Sequence, residues 1–450
     1  MGGGLLMKIK IEKLKSMILT LLVILSLALT WGLWTFQPQY DFRQKSNNLQ
    51  TVAIGEKRQF NEVIKPTQFI YHQDGLYYGV TDPGLSDELY QMVMNLNSLE
   101  YEYITFSTPE QLDSMLLEDS SLEMIFPVNI PINISNYIMG PIKQEWDIKY
   151  FDRMIVSLSK DPSLYLIASA SDQAIKLKVD QNGAGKINEL LLKSNDKNAT
   201  YFTVSGNQGH TLYLPEERIT VKQLAFSTQN ISSSDFKNAL FNDPNTLKQY
   251  RLNNGEESFT DGTRALEITQ NQDMMRFVNP ANPEVYELEP EEMILKSIEF
   301  INDHSGWTDS FILMDWSKAN HNVNFQLMVN GSPVFSEKGT TKIYESWREN
   351  EIYEYVRSLT NLRFSIDSEQ KRVILPSGRE LLSYLSQVNP DFTLSSLEAA
   401  LVGYDFTNEK NNTAVATVKP KWYIKYDGKW EVVNIPSTSI SQGGGKLGLE

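Results

Sequence analysis

The chain has 450 residues, a formal charge of −15, 41% hydrophobic and 11% aromatic residues, and no cysteine, which marks a folded protein of two to three domains and excludes a disordered one. Without cysteine there are no disulfides, thiolate metal sites, iron–sulfur clusters or cysteine nucleophiles. The first 46 residues carry six basic side chains against Glu12 and Asp41, a net +4, leaving −19 on the rest, and a body that acidic repels phosphate backbones, so nucleic acid is no expected partner.

Residues 1–16 form a basic leader containing "KIKIEKLKS", in which Met7 is a second plausible start. Residues 17–37 follow as a predicted transmembrane helix. Its twenty residues from Met17 to Phe36 are uncharged, which at the helical rise spans about 30 Å, one hydrocarbon thickness. Lysines before the span place the N-terminus in the cytoplasm and the remainder outside the membrane. A cleaved signal is the alternative, with Ser26-Leu27-Ala28 as its small-x-small site. Leu29, Trp31, Leu33, Trp34 and Phe36 prolong the apolar run past that point and favour a retained anchor. Trp34, Phe36 and Tyr40, with Trp31, would sit at the outer interface, and Pro38 stops the helix. Ala28 and Gly32 are a small-xxx-small pair that lets another helix approach, so Ala28, Trp31 and Gly32 are the candidate helix–helix contacts.

Beyond the anchor the pattern predicts an α+β multidomain ectodomain of antiparallel sheets with short helices. Its expected parts are 38–160, 161–287 and 288–440, with a flexible tail over 441–450. Residues 40 to 66 read as a stalk and a first strand. "QFIYHQDGLYYGVT" reads as a hairpin turning at Asp74-Gly75, "LSDELYQMVMNLNSL" as a helix capped by Ser86, and "STPEQLDSMLLEDS" as a second short helix. "SLEMIFPVNIPINI" is a strand run broken by prolines. In the central part, "SLYLIASASDQAIKLKVDQNGAGKINELLLK" reads as strands around a glycine-bearing turn and "SSSDFKNALFNDP" as a capped helix. "RLNNGEESFTDGTRALEIT" and "DMMRFVNP" read as an antiparallel set. The last part reads as a helix at "LEPEEMILKSIEFINDHSGW", strands turning at Asn330-Gly331, helices at "SGRELLSYLSQ" and "TLSSLEAALVGYDF", and a closing hairpin at Asp427-Gly428. Helix followed by meander thus occurs twice after residue 288, a weak internal repeat.

Signals for chemistry are sparse. His72, His210, His304 and His321 share no metal spacing and read as turn or surface residues. "NGAGK" lacks the phosphate-loop pattern and fails as a calcium loop, because Ala184 and Leu191 stand where oxygen ligands are needed. Ser157/Lys160, Ser194/Lys197 and Ser234/Lys237 fit S-x-x-K without its partner motifs. Glu291 and Glu292 are adjacent on one helix and diverge, so they make no carboxylate dyad. Trp307 and Trp316 read as core aromatics ahead of groove-lining ones. No catalytic residue, cofactor site or metal site is expected, which turns the reading towards interaction or regulation.

"LTWGLWTFQPQYDF" after a basic start, "FQLMVNGSPVF", and the closing "LVGYDF…VKPKWYIKYDGKW" together resemble YycH-type proteins, over nearly the whole length and in order. The resemblance implies a membrane-anchored, non-enzymatic accessory regulator of an essential sensor histidine kinase (WalK, or YycG) that controls the cell wall in Gram-positive bacteria. Its single helix would contact the kinase helices and a sister protein, YycI. It also implies three extracytoplasmic domains, the last sharing the YycI fold. The alternative is an exported wall-associated binding protein or an undetected hydrolase.

Overall fold

Strand alternation and turn chemistry shape this chain more than helix propensity does. Its computed structural model describes residues 15, 17, 19–27, 30, 53–105, 120–140, 148–171, 173–194, 198–207, 210–252, 255–269, 273–280, 288–348, 351–366, 371–409 and 412–436. Two units divide it, Met1–Gln50 and Thr51–Glu450. In the first, residues 19–27 are helical, and Leu19, Leu21, Leu22, Val23, Ile24, Leu25 and Leu27 are all exposed. Such a helix is apolar on every side. No helix among the described residues is long and apolar enough to cross a membrane. Ala28, Trp31, Gly32, Trp34, Phe36 and Tyr40 lie outside the described residues, as do the tail and nearly all of "STPEQLDSMLLEDS".

The second unit begins with one helical turn, α1 (Phe60–Val63), where a stalk and strand are expected. β1 (Gln68–Gln73) and β2 (Leu76–Gly79) form the hairpin at Asp74-Gly75, both at positive φ as a two-residue type I′ turn requires. α2 (Pro83–Met94) starts earlier than expected. Asp82, not Ser86, caps it, accepting from the Leu85 amide at 2.9 Å. β3 (Ser98–Thr105), β4 (Ser121–Pro131), α3 (Ser135–Ile138), β5 (Tyr150–Ser157), β6 (Ser163–Ala168) and β7 (Gln173–Val179) follow. "NGAGK" is no hairpin turn: it lies in α4 (Gln181–Ser194). Asp180 accepts from the Gly183 amide at 2.6 Å, and Ala184, Ile187 and Leu191 bury one face, which offsets the helix cost of two glycines. β8 (Ala199–Ser205) and β9 (Thr211–Pro215) complete a nine-stranded sheet, order β3-β7-β6-β5-β4-β1-β2-β8-β9. β5 and β6 are antiparallel neighbours, so the expected division at 160/161 falls inside this sheet.

The rest of the chain comprises β10 (Ile219–Lys222), β11 (Leu224–Asn230), α5 (Ser233–Leu240), β12 (Lys248–Arg251), β13 (Glu257–Thr260), β14 (Ala265–Ile268), β15 (Met274–Val278), α6 (Pro290–Asp303), β16 (Phe311–Ser317), β17 (Asn322–Val329), β18 (Ser332–Phe335), β19 (Lys342–Arg348), β20 (Glu351–Ser358), β21 (Thr360–Ser365), β22 (Arg372–Leu375), α7 (Gly378–Val388), β23 (Leu397–Glu409), β24 (Asn412–Tyr426) and β25 (Lys429–Val433). All but β10 and β22, which pair with each other, join one fourteen-stranded sheet. Because β15 pairs with β20, strands on both sides of the expected division at 287/288 share it. Ser232 caps α5, and Ser377 with Glu380 forms a capping box on α7. "TLSSLEAALVGYDF" is not a helix. After a short turn it becomes β23, held along its length by β24, and Gly403 fits against Tyr423 and Phe335 where a Cβ would come within 3 Å of both.

One apolar core runs through both sheets, from Leu122, Met124 and Phe151 to Trp307, Phe325 and Tyr355. Each large side chain buried there contributes about 2 kcal/mol. A second cluster, Leu214, Leu381, Leu385, Leu397 and Trp422, seats α7.

Candidate functional site

Strand β4 reads Ser-Leu-Glu-Met-Ile-Phe, and its alternation sends Leu122, Met124 and Phe126 into the main core. Glu123 faces the other way. In register, Ile70 lies opposite Glu123, His72 opposite Ser121, and Arg153 opposite Ile125, so His72 and Arg153 are diagonal neighbours of Glu123 on that face. Glu123 is 1% exposed and accepts from His72 Nε2 at 2.9 Å, Arg153 Nη1 at 2.5 Å and Tyr213 Oη at 2.6 Å. Tyr213 belongs to β9, four strand positions from β4, a separation of about 19 Å in a flat sheet. The bond therefore requires the sheet to curl. Two side chains lash β9 over it: Gln68 Nε2 donates to Tyr213 O at 3.0 Å and Arg153 Nη2 to Thr211 O at 2.6 Å.

Burial alone would raise the Glu123 pKa, but the Arg153 charge and the bonds from His72 and Tyr213 outweigh it and hold the carboxyl at about 2. Burial pushes the Arg153 pKa down, and Glu123 with Asp152 more than restores it. A carboxylate so firmly ionised is no general acid near neutrality. Ser121, His72 and Glu123 have the residue types of a nucleophile set, yet Ser121 Oγ and His72 Nδ1 are both buried and unpartnered, hence not bonded to each other. Ser121 is also sealed, at 1% exposure. The hydroxyl is not activated, and the cluster is structural.

Asp152, Arg153 and Tyr213 border a cleft of about 500 Å³ between the two sheets. Its opposite wall carries Asp315, Trp316, Glu398, Lys425 and Trp430. Trp316 stacks on Tyr150 with centroids 5.6 Å apart and donates through Nε1 to Asn129 O at 2.7 Å. Lys425 pairs with Glu398 at 3.6 Å. Asp315 makes no ion pair among the described residues. Burial raises its pKa, against the Lys425 charge and the Trp316 amide.

A second buried group sits in the larger sheet. Arg357, 1% exposed, donates to Tyr355 Oη at 3.0 Å, Thr308 Oγ1 at 2.8 Å and the Gly306 carbonyl. Burial drives the Glu345 carboxyl pKa well up, outweighing Ser297 and Arg357. Burial and then the Arg357 charge push His304 down to about 3, leaving it neutral.

The histidine expectation is corrected at two positions: His72 and His304 are 4% and 7% exposed, inside the clusters just described. His321 does sit in a turn, at φ 49°, and His210 borders the cleft. Trp307 fills the core as expected, whereas Trp316 also borders the cleft. Among the described residues no three His, Asp or Glu side chains are grouped to hold a metal. Glu123, Arg153, Glu345 and Arg357 escaped the sequence reading. Their signal is a charge set among apolar strand residues, alone in "SLEMIF", "IYESW" and "YVRSL" and beside Asp152 in "DRMIV", which must be paired or neutralised when buried.

The fold and its interior define a class, an α+β protein of large antiparallel sheets whose best-buried charges serve the fold. Residues 12–225 match the family model for the YycH protein N-terminal domain and 209–439 that for its C-terminal domain, and the chain belongs to the YycH family. It is 23% identical over 461 residues to the two-component system WalR/WalK regulatory protein YycH of Bacillus subtilis strain 168, covering 98% of this chain and all of that one. The crystal structure of YycH from Bacillus subtilis has the same fold, with a TM-score of 0.71 at 19% identity, covering 84% of this chain and 99% of the other.

Proposed function

We propose that this protein is a non-catalytic accessory regulator of a sensor histidine kinase of the WalK type, anchored in the cell membrane by residues 17–37. The observation that carries the reading is the end-to-end match to a relative named as a regulator of that two-component system. In this reading the N-terminus is cytoplasmic and the body extracytoplasmic. Ala28, Trp31 and Gly32 contact the kinase helices and a YycI-type sister protein, and Trp34, Phe36 and Tyr40 lie at the outer interface. Regulation follows if that packing differs between two kinase states, since a contact equal in both shifts nothing. The apolar, exposed helical residues 19–27 support the anchor.

The test replaces residues 17–37 with an unrelated helix of equal hydropathy and measures kinase phosphorylation in membranes. Regulation is expected to disappear while membrane localisation persists. Crosslinkers at Ala28 or Gly32 should capture the kinase or the sister protein. Normal regulation by the scrambled anchor would refute the helix-contact mechanism. The alternative, an exported binding protein, draws on the cleft and predicts an activity that survives loss of the anchor.

A further inference from the structure

We propose that the cleft between the two sheets binds an extended peptide, which adds as a strand to the free edge of β23 and sets a lysine side chain beside Asp315 near Trp316 and Trp430. The inference does not rest on the regulatory reading.

The main chain around the cleft carries the first argument. The β9 edge is closed, because Thr211 O and Tyr213 O already accept from Arg153 and Gln68. The β23 edge is not. Ala399, Ala400 and Leu401 pair with Lys425, Ile424 and Tyr423 of β24 on one side. On the other side the parallel partner β18 begins only at Tyr404, opposite Val334. Residues 399–401 border the cleft, near β9, and among the described residues no strand is hydrogen-bonded to them on that side. Facing them, β4 leaves its partners: pairing with β1 ends at Ile125, and pairing with β5 resumes only at Ile130. A strand edge is a row of strong donors and acceptors, and an added strand satisfies it.

Charge supplies the second argument. Of the carboxylates bordering the cleft, Asp152 lies 3.6 Å from Arg153, and Glu398 pairs with Lys425 and accepts from the Gly428 amide at 2.6 Å. Asp315 alone has no ion pair among the described residues; it is half-buried, and the charges of Lys425 and Lys342 reach it only from a distance. Arg153, meanwhile, is committed to Glu123. The cleft therefore favours a cation. Both indoles are backed by another ring, Trp316 by Tyr150 and Trp430 by Phe335 at 5.7 Å, and indoles attract ammonium groups. The volume of about 500 Å³ suits a short segment. A saccharide would use the indoles and carboxylates but leave the β23 edge unpaired.

The full-length chain in detergent micelles should be titrated calorimetrically with acetyl-Val-Lys-Val-amide, its norleucine analogue, its backbone N-methylated form, and chitotriose. The lysine peptide is expected to bind at least about tenfold tighter than the norleucine and N-methylated peptides. Asp315→Asn should erase the lysine preference, with circular dichroism confirming an unchanged fold. Equal affinity for the lysine and norleucine peptides, indifference to N-methylation, or no heat from the lysine peptide at about 1 mM would each overturn the proposal. So would tight binding of chitotriose that the lysine peptide fails to displace.

Discussion

Glu123 and Glu345 are both buried, and their surroundings push their carboxyl pKa values in opposite directions. Glu123 has Arg153, and its pKa falls from 4.5 to about 2. Its stabilisation is therefore complete above pH 4.5 and is lost as pH falls towards 2. Glu123→Gln leaves Arg153 buried beside no full counter-charge from β4. The expected cost is about 3–5 kcal/mol, read as a lower urea midpoint at pH 7. Glu345 behaves inversely. Its folded pKa lies well above 4.5, so its contribution is complete below pH 4.5 and is lost as pH rises through the folded value. Glu345→Gln should thus gain stability over the parent as pH rises from 4.5 towards the folded value, by up to about 1.4 kcal/mol per pH unit. Melting temperatures across that range decide it, and parallel curves would show that Glu345 does not hold its proton. His304 adds the opposite slope: held at about 3, it loses its contribution as pH falls below 6.5. At this scale the sequence was legible only as an oddity. A lone acid in an apolar strand announces that a partner or a proton is needed, but not which, because Arg153 and Tyr213 arrive from strands that local pattern does not join.

Turn chemistry made the hairpins legible. Asp74-Gly75, Asn330-Gly331 and Asp427-Gly428 all have both central residues at positive φ. Two of the misread segments have definite causes. In α4 the glycines of "NGAGK" resemble a turn, and the cap that overrules them, Asp180, lies before them. In β23 a register shift between Leu397 and Ala399 breaks the alternation, and "LEAAL" then presents helical spacing. Pairing with β24 overrides that propensity. Capping is testable at α7, where Ser377 Oγ accepts from the Glu380 amide at 3.3 Å and Glu380 Oε2 accepts from the Ser377 amide at 2.9 Å. Ser377→Ala should cost about 1 kcal/mol, measured by thermal denaturation. Glu380 also accepts from Arg218 Nε at 3.0 Å, and a loss within error would show that this ion pair fixes the helix start unaided.

Over the whole molecule, sheet membership follows pairings too distant for composition to reveal. β5 joins β6 across residue 160, and β15 joins β20 across residue 287. The two family models meet instead at residues 209–225, where β9 ends the first sheet and β10 begins. The antiparallel α+β character was readable from turn spacing, while the cleft was not, since its walls come from β4 and β9 on one side and β16 and β23 on the other. Truncation after Glu409 removes β24 and β25. Hydrogen exchange should then show β23 and β11 unprotected, while β4 to β7 keep their protection. Retained protection in β11 would mean that β21 suffices to hold it.

The order of strands along the chain also sets a timetable. The nine-stranded sheet is complete at Pro215, with Arg153 and Gln68 fastening its last strand. β11 follows at once, but its two neighbours β21 and β24 are made only roughly 130 and 190 residues later. At about 5–20 residues per second of synthesis, the wait for the first of them is on the order of 7–26 s. For that interval a finished half stands beside an unmatched strand, so the period of greatest aggregation risk falls in the middle of the protein's manufacture.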